Sequence, residues 1–278
     1  DFFHTCDVVL AVGTRFAKAE AKPSQQVVQI DVDLKEIGRN HKKTFGILAD
    51  ARIALAQLLK TIKNKTKSNT NQRDFFEEMK LNRYNNRATQ VEPLWSYVQA
   101  LRNAIPHDGI LVTDMTSIAY YSRVYYHTYI PRSYFTSSYS GNLGSAFPTS
   151  LGVKIAKPKQ TVVSISGDGG FLFNSQELAT AVQFGINVIA VVFNDSAYGN
   201  VKRDMKEMFN NKNLGSDLIN PDFVKLADSY GVAGFRVNSP KSLEETLKKA
   251  ITLNKTALIE VSIGETLSPF IVEMATKD

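Results

Sequence analysis

Residues 161–201 read TVVSISGDGGFLFNSQELATAVQFGINVIAVVFNDSAYGNV. TVVSIS and NVIAVVF are short apolar runs rich in β-branched residues and flanked by turn formers, which predicts two buried strands. Between them, residues 175–184 (SQELATAVQF) carry Leu178, Ala181, Val182 and Phe184 at the spacing of one helical face. Asn174 or Ser175 serves as N-cap, and Glu177 sits in the first turn, where a negative charge favours the helix dipole. Strand, helix and strand make a βαβ unit with parallel strands. Both strands then end on one edge of the sheet, where open α/β folds place their ligands. Gly167-Asp168-Gly169-Gly170 reads as a glycine turn after the first strand, and Asn194-Asp195 follows the second. An Asp-Gly pair on its own marks no more than a tight turn. Two acids at neighbouring strand ends beside glycines suit a hard cation that holds a phosphate.

The flanking sequence extends this pattern. Residues 109–119, GILVTDMTSIA, give a strand (Ile110, Leu111, Val112) and a polar turn entering a helix. Thr116 and Ser117 stand at that helix start, where they can cap the helix or donate to a phosphate. Residues 140–152, SGNLGSAFPTSLG, hold glycines and a proline that cannot all belong to one regular element, so a loop leads into a helix over 148–156. Beyond Asp195, a helix over 221–230 with Phe223, Leu226 and Ala227 on one face, a strand over 234–237, a helix over 242–251 and a strand over 257–262 continue the alternation. Towards the start, strands over 6–12 (CDVVLAV) and 27–32 (VVQIDV) precede a helix over 51–59.

Composition narrows the class. The 278 residues are 43% hydrophobic and 22% charged, as in an ordinary globular protein. The net charge of +6 and the pI near 9.2 invite a nucleic-acid reading. However, Lys60, Lys63, Lys65 and Lys67 cluster in TIKNKTKSNTNQ without interleaved aromatics, as a solvated link rather than a binding face, and no nucleic-acid partner is expected. The longest apolar run, residues 188–193, is too short to span a bilayer, so no membrane association is expected. No signal peptide is visible and the single Cys6 excludes an internal disulfide, which favours a cytoplasmic location. His4, His41 and His107 show no metal-ligand spacing, and none of the four histidines is given a catalytic role.

GDGGF, QELATAV and the closing Asn-Asp together resemble the diphosphate-binding motif of thiamine diphosphate enzymes, most closely the branch of acetolactate synthase, benzoylformate decarboxylase and benzaldehyde lyase. The resemblance covers nearly the whole chain. It implies that Asp168 and Asp195 ligate Mg²⁺ with the main-chain carbonyl of Ala197. Asp195 departs from the commoner Asn, adding a negative charge that tightens the cation and slightly opposes the diphosphate. Gly167, Gly169 and Gly170 would let the backbone approach the diphosphate, with Thr116 and Ser117 donating to it. The 140–152 segment is similar to the loop that wraps the aminopyrimidine in this family. There the Gly141 carbonyl would accept from the 4′-amino group, and Leu143 would prop the cofactor in its bent form, holding reacting groups together. Tyr198 and Gly199 would also contact the cofactor, and they open the stretch to Arg203 that would shape the substrate pocket, with Met205 and Met208 on a nearby helix.

The implied fold is α/β: a parallel-sheet, three-layer α/β/α diphosphate-binding domain over 92–278, preceded by the C-terminal part of a Rossmann-like central domain (1–60) and a linker (61–91). The implied activity is decarboxylation of 2-oxo acids, with ligation of the resulting enamine to a second carbonyl as a further step. The alternatives are a thiamine-dependent lyase or decarboxylase acting on an acyl-CoA or a 2-hydroxy ketone, or a non-catalytic phosphate-binding domain. The family's activating glutamate sits on an N-terminal pyrimidine-binding domain, usually of a partner subunit. No residue here matches it, so a longer homo-oligomer (dimer or tetramer) with shared active sites is expected, and no turnover by this chain alone. Some relatives bind FAD through an acidic pair after Gly-x-Arg-Phe. Gly13-Thr14-Arg15-Phe16 is followed instead by Ala17-Lys18-Ala19-Glu20, so FAD is not expected.

Overall fold

The computed structural model describes residues 2–17, 21–63, 65, 70–88, 91–137, 140–210 and 212–265. Lys18, Ala19 and Glu20, on which the FAD expectation rests, lie outside these residues, as do Lys67 and the end of the 92–278 segment. The chain divides into two compact units, Asp1–Glu77 and Glu78–Asp278. No helix among the described residues is long and apolar enough to cross a membrane.

In the first unit β1 (Val8–Val12), β2 (Gln26–Asp31) and β3 (Thr44–Leu48) form a parallel sheet in the order β1-β2-β3. Helix α1 (Ala51–Ile62) follows, its first amides capped by the Asp50 carboxylate through Arg52 N and Ile53 N. Helix α2 (Thr70–Ala88) occupies most of the segment expected as a linker, and the boundary between the units falls within it.

The second unit is built on six parallel strands: β4 (Ile110–Thr113), β5 (Tyr134–Thr136), β6 (Val162–Gly167), β7 (Ile189–Asn194), β8 (Ala233–Val237) and β9 (Ala257–Ser262). Their order is β5-β4-β6-β7-β9-β8, with all neighbours parallel. Alternation along each strand sends side chains to opposite faces. Leu111, Val163, Val191 and Ile259 pack against α3 (Leu94–Ala104), α4 (Ser117–Tyr125) and α10 (Pro240–Leu253). Ile110, Val162, Val192 and Leu258 pack against α5 (Ala146–Ala156), α7 (Glu177–Gln183) and α9 (Phe223–Ser229). Helices on both faces make the expected three layers. Because strand order reverses at the β4/β6 pair, the chain leaves these two strands in opposite directions and opens a crevice at their carboxyl ends.

The predicted helical face over 175–184 is narrower than its periodicity indicated. Leu178 and Ala181 are fully buried, whereas Val182 and Phe184 are 46% and 68% exposed. Helix α7 ends at Gln183, so Phe184 is its C-cap rather than part of the helical face, and Gly185 at φ +60° then turns the chain. Its N-cap is Gln176, not Asn174 or Ser175.

Asn174 has a different task, in fixing the loop before α5. Its Nδ2 donates to the Gly144 carbonyl at 2.7 Å. The Gly144 amide donates in turn to Asp114 Oδ2 at 2.7 Å, while Met115 N and Ser145 Oγ donate to Asp114 Oδ1 at 3.0 and 3.4 Å. Asp114 is fully buried just past β4, and burial pushes its carboxyl up while these donors oppose the shift. Gly144 has φ +79°, and a Cβ there would stand 2.6 Å from Phe173 Cβ. The loop is therefore clamped between the end of β4 and the segment after β6.

Replacing the fully buried Leu178 by Ala is expected to cost about 2–5 kcal/mol in chemical denaturation. Asp114→Ala strands the buried Gly144 amide and should cost about 1–3 kcal/mol. Hydrogen exchange should accelerate more at the Gly144 amide than at the β7 amides; equal acceleration at both would contradict a clamp local to this loop.

Candidate functional site

Strand β6 delivers Asp168 directly into a helix rather than through the glycine turn expected from GDGG. Gly167 is the N-cap, and α6 (Asp168–Leu172) begins at the acid. An acid in the first turn suits the exposed amides and the positive end of the helix. Gly169 and Gly170 are required first by the protein's own packing. A Cβ on Gly169 would lie 2.5 Å from the Tyr198 ring, and one on Gly170 would lie 2.8 Å from Asp114 Oδ2.

Asp168 is 2% exposed, and Asn220 Nδ2 donates to its Oδ2 at 2.6 Å. The same Nδ2 donates to Asn194 Oδ1 at 2.9 Å, tying the ends of β6 and β7 together. Asn194 Nδ2 donates to Glu260 Oε1 at 2.7 Å, and Glu260 Oε2 accepts from Arg236 Nε at 2.7 Å. A polar chain thus runs from Arg236 to Asp168 across the carboxyl edge of the sheet. Nothing in the sequence pattern singled out Asn220, which precedes Pro221 in an irregular segment; its Oδ1 is buried without a hydrogen-bond partner.

Asp195 follows β7 directly. Burial, and then the charge of Asp168, push its carboxyl up to about 6; burial likewise raises Asp168. Two desolvated carboxylates that repel one another form a donor set suited to a divalent cation. Ser196 adopts φ +56°, a left-handed conformation that is unusual for a residue with a side chain. It turns the chain so that Ala197 pairs with Asp217 in an antiparallel bridge, with Tyr198 N donating to Ser216 O and Leu218 N to Ser196 O. Among the described residues no backbone N–H reaches the Ala197 carbonyl, although Ala197 is only 6% exposed. A Cβ on Gly199 would collide with the Asp195 carboxylate, so glycine is needed for α8 (Gly199–Met208) to start there.

The expected residues converge. Of the residues expected to hold the cofactor or metal, all except Gly141 line one open cavity of about 80 Å³ with Met115, Asn200 and Val201, whereas Lys202, Arg203, Met205 and Met208 from the expected substrate-pocket stretch do not line it. Gly141, at φ +66°, sits in the turn just before Leu143. Leu143 is 38% exposed, an apolar side chain presented to the cavity. Thr116 is the N-cap of α4, yet its hydroxyl makes no capping bond, which leaves it available to a ligand. The Ser117 hydroxyl instead donates to Asn200 Oδ1 at 3.2 Å, and Arg203 NH2 donates to the same oxygen at 3.0 Å. Met205 and Met208 lie on α8, with Met208 67% exposed rather than packed in the core.

Comparison with known proteins agrees with this geometry. Residues 114–261 match the thiamine pyrophosphate enzyme C-terminal TPP-binding domain, and residues 1–58 match the central domain of thiamine pyrophosphate enzymes. A probable acetolactate synthase large subunit of Methanocaldococcus jannaschii is 33% identical over 93% of this chain and 46% of its own length. The acetolactate synthase isozyme 3 large subunit of Escherichia coli is 29% identical over 94% of this chain and 48% of its own length. The acetolactate synthase of Bacillus subtilis is 34% identical over 64% of this chain and 31% of its own length. The chain spans about half the length of the first two relatives. With a parallel sheet, two acids at adjacent strand ends and a domain match over most of the second unit, the chain belongs to the thiamine pyrophosphate enzymes.

Proposed function

We propose that this chain supplies the diphosphate- and metal-binding half of an acetolactate synthase-like enzyme, which decarboxylates 2-oxo acids and ligates the product fragment to a second carbonyl. The observation that carries this reading is the meeting of Asp168, Asp195 and the exposed Leu143 on one cavity wall. A plain phosphate site would have no use for an apolar prop beside two acids.

In this reading Mg²⁺ is held by the carboxylates of Asp168 and Asp195 and by the Ala197 carbonyl, and the cation anchors the diphosphate. Thiamine diphosphate, when bound, supplies the carbon nucleophile and the electron sink for loss of CO₂. The chain's own residues bind and orient. The amides at the start of α4, with the free Thr116 hydroxyl, would bind the anionic end, and Leu143 would support the cofactor. Asn220 and Asn194 keep the two metal-binding strand ends in register. A cavity of about 80 Å³ is far below the ~300 Å³ or more that encloses a small ligand, and in this reading the remaining walls would be supplied by a partner copy in a homo-oligomer.

The test is calorimetric titration of full-length protein with thiamine diphosphate and Mg²⁺, together with pyruvate consumption. Asp168→Ala should weaken cofactor binding on the order of 10–100-fold or more. Asp195→Asn, which removes one negative charge from the metal site, should still bind the cofactor but need more Mg²⁺ for half-saturation. Unchanged Mg²⁺ dependence in both variants would sink the metal assignment. Cofactor binding without pyruvate consumption would shift the reading to another substrate class, an acyl-CoA or a 2-hydroxy ketone.

A further inference from the structure

Arg203 is 6% exposed on α8, and its Nε is buried without a hydrogen-bond partner. Among the described residues no carboxylate forms an ion pair with it; the bond recorded for its guanidinium goes to the neutral Asn200 Oδ1 at 3.0 Å. A buried, uncompensated cation is costly, so its position against Asn200, which lines the cavity, calls for a reason. Arginine can only donate, which fixes the orientation of the Asn200 amide: the atom facing Arg203 must be the oxygen. The Ser117 hydroxyl donates to that same oxygen at 3.2 Å. Both bonds hold the oxygen end, and the amide's two N–H donors have no protein partner among the described residues, while Asn200 lines the cavity.

We infer that Asn200 is a specificity-determining residue whose side-chain NH₂ binds the carboxylate of the 2-oxo acid substrate, with Arg203 as the positioning residue that orients the amide and adds positive potential. This rests on the thiamine reading above. The chemistry recognised is an anionic oxygen, which a carboxylate or the cofactor's own diphosphate could present. Asn200 lies on α8 beyond the Asp195–Tyr198 turn, yet it is bonded to Ser117 at the start of α4, where a diphosphate contact is expected, so the two sources are separated by experiment.

Two variants separate the sources. Asn200→Ala removes the donor. Asn200→Asp keeps an acceptor for Ser117 and Arg203, pairs the buried guanidinium, and turns the cavity-facing donor into a negative charge. Asn200→Asp should therefore melt no lower than the unaltered protein, which guards against a folding artefact. Full-length protein is titrated first with thiamine diphosphate and Mg²⁺, then with oxamate, an unreactive isostere of pyruvate. The expected result is cofactor affinity within about twofold of the unaltered protein in Asn200→Ala, and oxamate binding weakened by about tenfold or more in both variants, the scale of one hydrogen bond to a charged group. Unchanged oxamate affinity in either variant overturns the assignment. Parallel weakening of cofactor and oxamate in the neutral Asn200→Ala variant overturns it in favour of the diphosphate. Failure of the unaltered protein to bind the cofactor overturns the thiamine reading, and this assignment with it.

Discussion

Asp168 sits almost out of water at the end of β6, and the architecture of the second unit follows from what is needed to keep a carboxylate there. A buried charge must be hydrogen-bonded or matched by an opposite charge. The first turn of α6 and the Asn220 amide supply the donors. Asn220 is held in turn by Asn194, Asn194 by Glu260, and Glu260 by Arg236, so four strand ends share one polar chain. Parallel pairing makes this arrangement available, because it brings every carboxyl end to the same edge.

The second acid depends on the same edge and on backbone that only a few residue types tolerate. Asp195 leaves β7 beside Asp168, and the left-handed Ser196 and the glycine at 199 let its carboxylate lie against the start of α8. Glycines at 169 and 170 let Tyr198 and Asp114 close over α6. Their role in shaping the cavity is thus indirect: they set how closely the walls approach before any ligand arrives. The clamp of Asp114 and Asn174 on Gly144 carries Leu143 to its place on the wall.

Elements with strong local signals were legible in advance. Strand β9 begins and ends where its apolar run does, and β4, β6, β7 and α10 differ from the reading by a few residues. Weakly patterned elements were not. Strand β5 has three residues, and β3 contains a glycine and mixes polar with apolar residues. No helix is expected over 94–104, although the buried face of α3 packs against the sheet, and α2 lies within the segment expected as a linker. Glycine and aspartate favour turns locally, so GDGG predicts a turn, yet Gly167 caps a helix that begins at Asp168, with Tyr198 and Asp114 closely approaching Gly169 and Gly170.

The sequence by itself determined the alternation of strands and helices, the parallel sheet, and the two acids that end β6 and β7, because these follow from periodicity and from residues adjacent in the chain. The resemblance also singled out Thr116, Leu143 and Tyr198, which line the same cavity as the two acids. The tertiary structure alone decided which donors keep Asp168 buried, that the Ser117 hydroxyl is committed to Asn200, and that Arg203 is buried against Asn200 without a carboxylate among the described residues. Asn220 is distant in sequence from Asp168, and Asn200 from Ser117, and hydrogen bonds over such separations leave no periodic trace in the chain. They exist because folding brings the ends of separate strands and the starts of separate helices to one edge of one sheet.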